Sequence, residues 1–213
     1  MIATLVLWVL AMQIGGEISL FDGKTLNGWA FENTTAEKIV VKDAVIRIEQ
    51  GSGWLRSNRE FKDFVLTLEF RFLHDQANSG VYIRTAPTSS PNPAANGIVS
   101  GWPDDGYAVQ TREIAKDVPT TKSPLTGRLM TQGKASAAKE VSFNAEALRS
   151  SFKPTGTWQT YEIQAIGPRI TVRVNGVLVT EAEVGRLSGH IGLQGETPVV
   201  EYRNIVVREI TAR

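Results

Sequence analysis

Hydrophobic and polar residues alternate with a period of two over one short stretch after another. Phe64 to Leu73 (FVLTLEFRFL) is the clearest case. Phe64, Leu66, Leu68, Phe70 and Phe72 point one way, and Val65, Thr67, Glu69, Arg71 and Leu73 the other. That period predicts a strand with one packed face and one more polar face. Ile39-Val40-Val41 and Val45 to Ile48 flank Lys42-Asp43-Ala44 and predict a hairpin. Tyr107 to Arg112 (YAVQTR) predicts a strand with Ala108, Gln110 and Arg112 on one side. Trp158 to Ile166 and Ile170 to Asn175 follow, joined by a turn at Gly167-Pro168. Asn175-Gly176 is a strong two-residue hairpin signal because both positions tolerate positive φ. Val177 to Val179, Ile191 to Gln194 and Val199 to Ile210 complete the strands.

Other stretches carry less pattern. Asn78-Ser79-Gly80 reads as a turn leading into Val81 to Arg84, where Tyr82 and Arg84 share a face. Thr85 to Asp105 holds Pro87, Pro91, Pro93 and Pro103 and predicts an irregular loop. Ala115 to Gly156 is weakly patterned, with room between Lys139 and Ser151 for one or two helical turns around Ala145 to Leu148. About ten to twelve strands with almost no helix predict an all-β sandwich or jelly roll, in one domain without internal repeats.

Composition narrows the chemistry. The chain has 213 residues, enough for one sandwich with a substantial core. Net charge is +1 with no Lys/Arg-rich run, which argues against a nucleic-acid partner. With no cysteine, disulfides, thiol catalysis and Cys-ligated zinc are excluded. Only His74 and His190 are available, so a multi-histidine metal site cannot form within one chain. No metal or cofactor is predicted; a Ca²⁺ ion on Asp104 and Asp105 is conceivable, but their spacing does not specify one. Ile2 to Met12 is apolar except for Thr4, too short to span a bilayer and shaped like the hydrophobic stretch of an export signal. No Lys or Arg precedes it, and the alternative is a hydrophobic N-terminal strand. A cut after Ala11 has acceptable small residues. The reading assigns 1–16 to a signal peptide and 17–213 to the single domain, with no transmembrane span and a periplasmic or extracellular destination.

Several segments, in order, resemble one family. They are Leu20 to Trp29 (LFDGKTLNGW), Leu68 to Phe72 (LEFRF), Asn78 to Arg84 (NSGVYIR), Gly106 to Gln110 (GYAVQ), Trp158 to Ile170, Val174 to Val177 (VNGV), Ile191 to Gln194 (IGLQ) and Val200 to Ile205 (VEYRNI). Together they resemble the 3-keto-disaccharide hydrolase domain, from about Ile18 to Ile210. The resemblance implies a concanavalin A-like lectin/glucanase jelly-roll sandwich of two antiparallel sheets. It also implies action on a sugar whose C3 hydroxyl an upstream sugar 3-dehydrogenase has oxidised. A C3 ketone acidifies the C2 proton, a base removes it, and the enolate expels the C1 glycosidic oxygen. Such a site needs a base, a stabiliser for the enolate oxygen and an acid for the leaving group. Ordinary glycoside hydrolysis uses two carboxylates instead; here Glu69 is followed two positions on by Arg71, so an alternating carboxylate pair is absent.

On this reading Glu69 is a base or substrate acceptor oriented by Arg71, against a cross-strand ion pair on a solvated sheet. Arg84 is a candidate for the enolate, against a surface arginine packed on Tyr82. Gln110 and Tyr107 mark a family strand, and an amide suits sugar hydroxyls. Glu113 and Asp117 follow that strand where relatives carry acidic residues. Asn78, Tyr82 and Gln194 are further substrate-binding candidates. Glu201 and Arg203 look like the family's E-x-R pattern, against a structural pair tying the terminal strand to its neighbour. Trp29 reads as core; Trp54 and Trp102 are better stacking candidates, though aromatic residues are mostly structural. His74 reads as a turn residue and His190 as a strand start. Relatives continue after Leu-Gln with an acidic residue and a histidine, whereas this chain has Gly195-Glu196-Thr197, so that histidine's role is lost or falls to Glu196. Two rivals stand beside the enzyme: a non-catalytic carbohydrate-binding module on the same fold, and an interaction domain using the Thr85 to Asp105 loop.

Overall fold

The computed structural model describes residues 12–88, 92–93, 99–112, 125–197 and 199–212. In chain order the elements are β1 (Met12–Ser19), β2 (Trp29–Glu32), β3 (Ile39–Lys42), β4 (Val45–Ile48), β5 (Trp54–Phe61), β6 (Phe64–Phe72), β7 (Asn78–Thr85), β8 (Asn92–Pro93) and β9 (Val99–Ser100). Then come β10 (Asp105–Arg112), β11 (Leu129–Gly133), β12 (Lys139–Phe143), the helix α1 (Ala145–Ser151), β13 (Gln159–Ile166), β14 (Arg169–Val174), β15 (Val177–Glu183), β16 (Gly189–Gln194) and β17 (Val200–Ala212).

The strands build the two-sheet sandwich. The larger sheet has nine strands, ordered β12-β15-β14-β13-β6-β17-β4-β3, with β1 also paired to β17. The smaller has six, ordered β11-β10-β7-β16-β5-β2. Every pairing within both sheets is antiparallel. The alternation in β6 packs Phe64, Leu66, Leu68, Phe70 and Phe72 into the core. Val81, Ile83, Val109, Ile191 and Leu193 meet them from the smaller sheet. Burial of this kind contributes about 1.5–3 kcal/mol per large apolar side chain.

Turn chemistry follows the sequence where the signals are strong. Asp43 and Ala44 both have positive φ, 51° and 59°, between β3 and β4. Asn175 (φ 50°) and Gly176 (φ 83°) close the β14–β15 hairpin. In the opening segment, Asp22 Oδ1 accepts from the backbone N–H groups of Lys24 and Thr25. Trp29 is core, and its Nε1 donates to the Leu20 carbonyl.

Several expectations change. Asn78-Ser79-Gly80 is not a turn but the buried start of β7, paired to β10 and joined to Thr197. Ser79 Oγ donates to the Gln194 carbonyl, so these small polar residues serve interior contacts that sequence does not display. The Thr85 to Asp105 segment contains the short β8–β9 pair within its described part. Lys139 to Phe143 is an exposed edge strand, and the helix is confined to Ala145–Ser151 behind its cap Asn144. The strands β2, β5 and β11 raise the total among the described residues to seventeen. The boundary drawn at 16/17 falls inside β1, whose pairing with β17 begins at Met12.

Two tyrosines of the larger sheet reach across the core to the smaller one. Tyr161 Oη donates to the Gln110 carbonyl at 2.5 Å and accepts from Gly127 N–H at 2.9 Å. Tyr202 Oη donates to Ser79 Oγ at 2.7 Å. Both phenols are fully buried, and burial pushes both far above the usual range, so they stay neutral donors. They hold β10 and β7 from beneath.

Candidate functional site

Each strand of the smaller sheet turns one set of side chains to the core and the other outward. Cross-strand register fixes which residues meet on the outward face. One outward row runs Arg56, Gly192, Tyr82, Ala108, Met130 across β5, β16, β7, β10 and β11. The next brings Gln194, Gly80 and Gln110 side by side, since Leu193 pairs with Val81 and Gly80 with Gln110. A third holds Asn78 against Arg112.

At the end of these rows sits Glu196, just past β16. Asn78 Nδ2 donates to its Oε1 at 2.5 Å, and Gln194 Nε2 donates to its Oε2 at 2.8 Å. Gln110 Nε2 in turn donates to Asn78 Oδ1 at 2.5 Å. The polarity of this chain is forced. A carboxylate only accepts, so both amides must present NH₂ to it, and Asn78 must then offer its oxygen to Gln110. Burial pushes the Glu196 carboxyl above its ordinary 4.5; the nearby Arg112 charge and the two amide bonds pull it back by less. Gly80 leaves room for the Gln194 amide, since a Cβ there would stand 2.5 Å from Gln194 Oε1 and push that side chain aside.

Beside the amides lies a small aromatic cluster. Trp54 and Tyr82 meet edge-on, with ring centroids 5.1 Å apart at 74°. Trp54 lies over Gly192, where a Cβ would come within 2.4 Å of its ring. Its Nε1 donates to Thr88 Oγ1, and Thr88 Oγ1 donates to the Trp102 carbonyl. Glu32 joins Arg56 to Thr88 by accepting from both. Trp54 is fully buried and cannot stack on a ligand, whereas Trp102 is half-buried against the cluster.

The other sequence candidates lie elsewhere. Glu69, Arg71, Glu201 and Arg203 stand on the outward face of the larger sheet. Arg203 Nε meets Glu69 at 2.5 Å, Arg71 Nε meets Glu201 at 2.5 Å, and Arg47 meets the second Glu201 oxygen at 3.1 Å. Trp158 is clasped by both guanidiniums, Arg203 at 3.9 Å and Arg71 at 4.6 Å from the ring centre. Arg84 breaks the strand alternation at φ 49° and turns inward. Its fully buried guanidinium donates to the carbonyls of Lys62, Gly167 and Arg186 and to Asp63. Burial lowers its pKa, and Asp63 opposes this. It therefore shares no face with Tyr82. Tyr107 points into the core, where its hydroxyl donates to the Ser136 carbonyl and accepts from Gly185 and Arg186 N–H.

So the smaller sheet gathers Asn78, Tyr82, Gln110 and Gln194, and the larger gathers Glu69, Arg71, Glu201 and Arg203. Arg112 was legible as a neighbour of Gln110 on the same face, but only the register to Asn78 brings it to Glu196. His190 is buried, its Nδ1 2.8 Å from the Ser57 carbonyl, and His74 is exposed beyond β6. Asp105 is engaged by Arg186 at 3.1 Å. Among the described residues no three His, Asp or Glu side chains converge as a metal site would require, and no helix is long and apolar enough to cross a membrane. Glu113 and Asp117 lie outside the described residues.

The sequence matches the family model described as "3-keto-alpha-glucoside-1,2-lyase-like domain" over residues 16–208. The chain belongs to this family. No curated protein matches it by sequence. Among solved structures, a Parabacteroides distasonis protein provisionally classed as a glycosyl hydrolase is similar at 15% identity and TM-score 0.66, covering 92% of this chain and 94% of that one. A Bacillus licheniformis β-glucanase is similar at 15% identity and TM-score 0.54, covering 94% and 100%. A Bacillus subtilis carbohydrate-binding module, CBM66, is similar at 11% identity and TM-score 0.51, covering 84% and 93%. At these identities the structures speak for the fold: this lyase-like domain is a concanavalin-like jelly-roll sandwich, in a carbohydrate-active family.

Proposed function

We propose that this lyase-like domain cleaves glycosides already oxidised to a ketone at C3, with Glu196 as the base that takes the C2 proton. The observation that carries the reading is the setting of Glu196, a half-buried carboxylate gripped by two neutral amides on the outward face of the smaller sheet. A carboxylate locked to arginines is a poor base, because the cations stabilise its charged form. Burial does the reverse and raises basicity, against the smaller pull of Arg112 and the two amide donors. A positioned base of this kind contributes about 10²–10⁴-fold.

The steps balance without further reagents. The C2–H pair moves into a C2–C3 double bond as the ketone pair moves onto oxygen. When that pair returns, a C1–C2 double bond forms, the C1–O bond breaks, and the aglycone oxygen leaves with the proton that Glu196 removed from C2. Gln110, Asn78 and Gln194 suit recognition of sugar hydroxyls beside the base. An upstream sugar 3-dehydrogenase would supply the ketone. We place the reaction outside the cytoplasm, with residues before Met12 as the export segment; a cut there leaves β1 whole.

The test is aglycone release from a panel of 3-keto-glucosides and their unoxidised parents. Release from the keto forms alone, lost in Glu196→Gln, is the expected result. No release from any of them overturns the reading, and sugar binding retained in that case would make the domain a binding module.

A further inference from the structure

The chain has four tyrosines, and one hydroxyl stands apart. Tyr107, Tyr161 and Tyr202 each direct theirs to a protein acceptor. Tyr82 is fully buried, and among the described residues its Oη has no hydrogen-bond partner. Leaving such a group unmet costs about 1–3 kcal/mol, and a retained case calls for an explanation. Tyr82 stands on the same face as the amides that grip Glu196. Along β7 that face reads Tyr82, Gly80, Asn78, so no side chain of the strand intervenes before the residue that holds the carboxylate. The Glu196 charge is near enough to bear on the phenol.

We propose that the Tyr82 hydroxyl is the donor to the C3 ketone oxygen, and so a catalytic residue that carries the enolate charge when Glu196 removes the C2 proton. This rests on the function proposed above. The enolate places a full charge on one oxygen, and a preorganised neutral donor in a dry setting stabilises that charge strongly. Arg84, the sequence candidate for this task, has its guanidinium spent on carbonyls and Asp63 on the inner side. Burial, then the nearby Glu196 charge, raise the Tyr82 pKa well above its ordinary value, so the phenol keeps its proton and acts as donor rather than acid. A carboxylate base paired with a buried tyrosine donor is an established solution for enolisation next to a ketone. Trp102 and Met130 pack half-buried against the Trp54–Tyr82–Ala108 cluster, and this role requires side chains there to move aside for the ketone oxygen to reach the hydroxyl.

The test measures deuterium uptake at C2 of a 3-keto-glucoside in D₂O, which reports enolate formation whether or not the glycosidic bond breaks. Wild type, Tyr82→Phe and Glu196→Gln are compared, with calorimetry of the unoxidised parent sugar and thermal melting alongside. The expected result is uptake by wild type and a fall of about 10²–10³-fold in Tyr82→Phe. Parent-sugar affinity stays unchanged, and Tm is unchanged or raised by about 2–4 °C because an unmet polar group has gone. Uptake in Tyr82→Phe within threefold of wild type overturns the role of Tyr82 while the lyase reading stands. A Tm lowered by that same margin would mark the hydroxyl as structural and also overturn it. No uptake and no aglycone release in wild type overturns the lyase reading, and the role of Tyr82 with it.

Discussion

Glu196 and Glu201 are five positions apart in sequence and on opposite sides of the sandwich. Both carboxylates accept at each oxygen, yet from different partners. Glu201 lies between the guanidiniums of Arg47 and Arg71, in a band that continues through Trp158 to Arg203 and Glu69. Glu196 receives two uncharged amides and stands half-buried. The chemical identity of the donors, more than the number of bonds, separates a strut from a base. Charges that neutralise one another bind strands together and leave little reactivity, whereas burial lifts the Glu196 carboxyl toward its proton despite Arg112 and the two amides.

The sharpest way to break this contrast is Glu196→Gln. Turnover of a 3-keto substrate falls about 10²–10⁴-fold in steady-state assays. Stability moves the other way. The folded carboxyl sits above its usual 4.5, so its contribution is fully present below pH 4.5 and is lost as pH rises through the raised folded value. Denaturant titrations at neutral pH should therefore find the variant at least as stable as wild type, with the advantage fading in acid. Glu201→Gln should do the opposite, costing about 2 kcal/mol because Arg71 loses its carboxylate and Arg47 keeps only Glu49, with kcat/KM unchanged. Gly80→Ala sharpens the site's geometry: its Cβ would stand 2.5 Å from Gln194 Oε1, and displacing that amide should lower kcat/KM about tenfold with little change in melting. The smallest effect belongs to Glu69→Gln, a loss of about 0.2–1 kcal/mol at a partly exposed pair, read by thermal melting. Loss of turnover in Glu69→Gln with turnover retained in Glu196→Gln would reverse the assignment of the two faces.

Much of the sandwich was legible because alternation writes itself into strands such as β6, β13 and β14, and Asn175-Gly176 marks its own hairpin. β5 was not, since WLRSNREF turns Trp54 and Arg56 outward and follows no simple alternation after Ser57. The site was legible only in part. Period two shows that Glu69 and Arg71 share a face, but not that the register sets Glu69 beside Arg203 and Arg71 beside Glu201. Arg84 misled because its left-handed backbone reverses the side that alternation assigns. Glu196 was legible only as the acidic residue standing where relatives continue with an acidic residue and a histidine; its setting comes from Asn78, 118 positions earlier in the chain, arriving at its carboxylate.

The placement of β17 has a consequence for how the molecule comes into being. This strand is the last of the fold to be synthesised, yet it lies between β6 and β4 and also accepts β1. Until its residues emerge, the larger sheet is split into halves with open edges, and the first strand has nothing to pair with. The domain therefore cannot close progressively on the ribosome, and assembly must wait for the whole chain. On the export proposed above, a chain that crosses a membrane as an extended thread before folding would gain from such an arrangement, because its architecture delays its own completion.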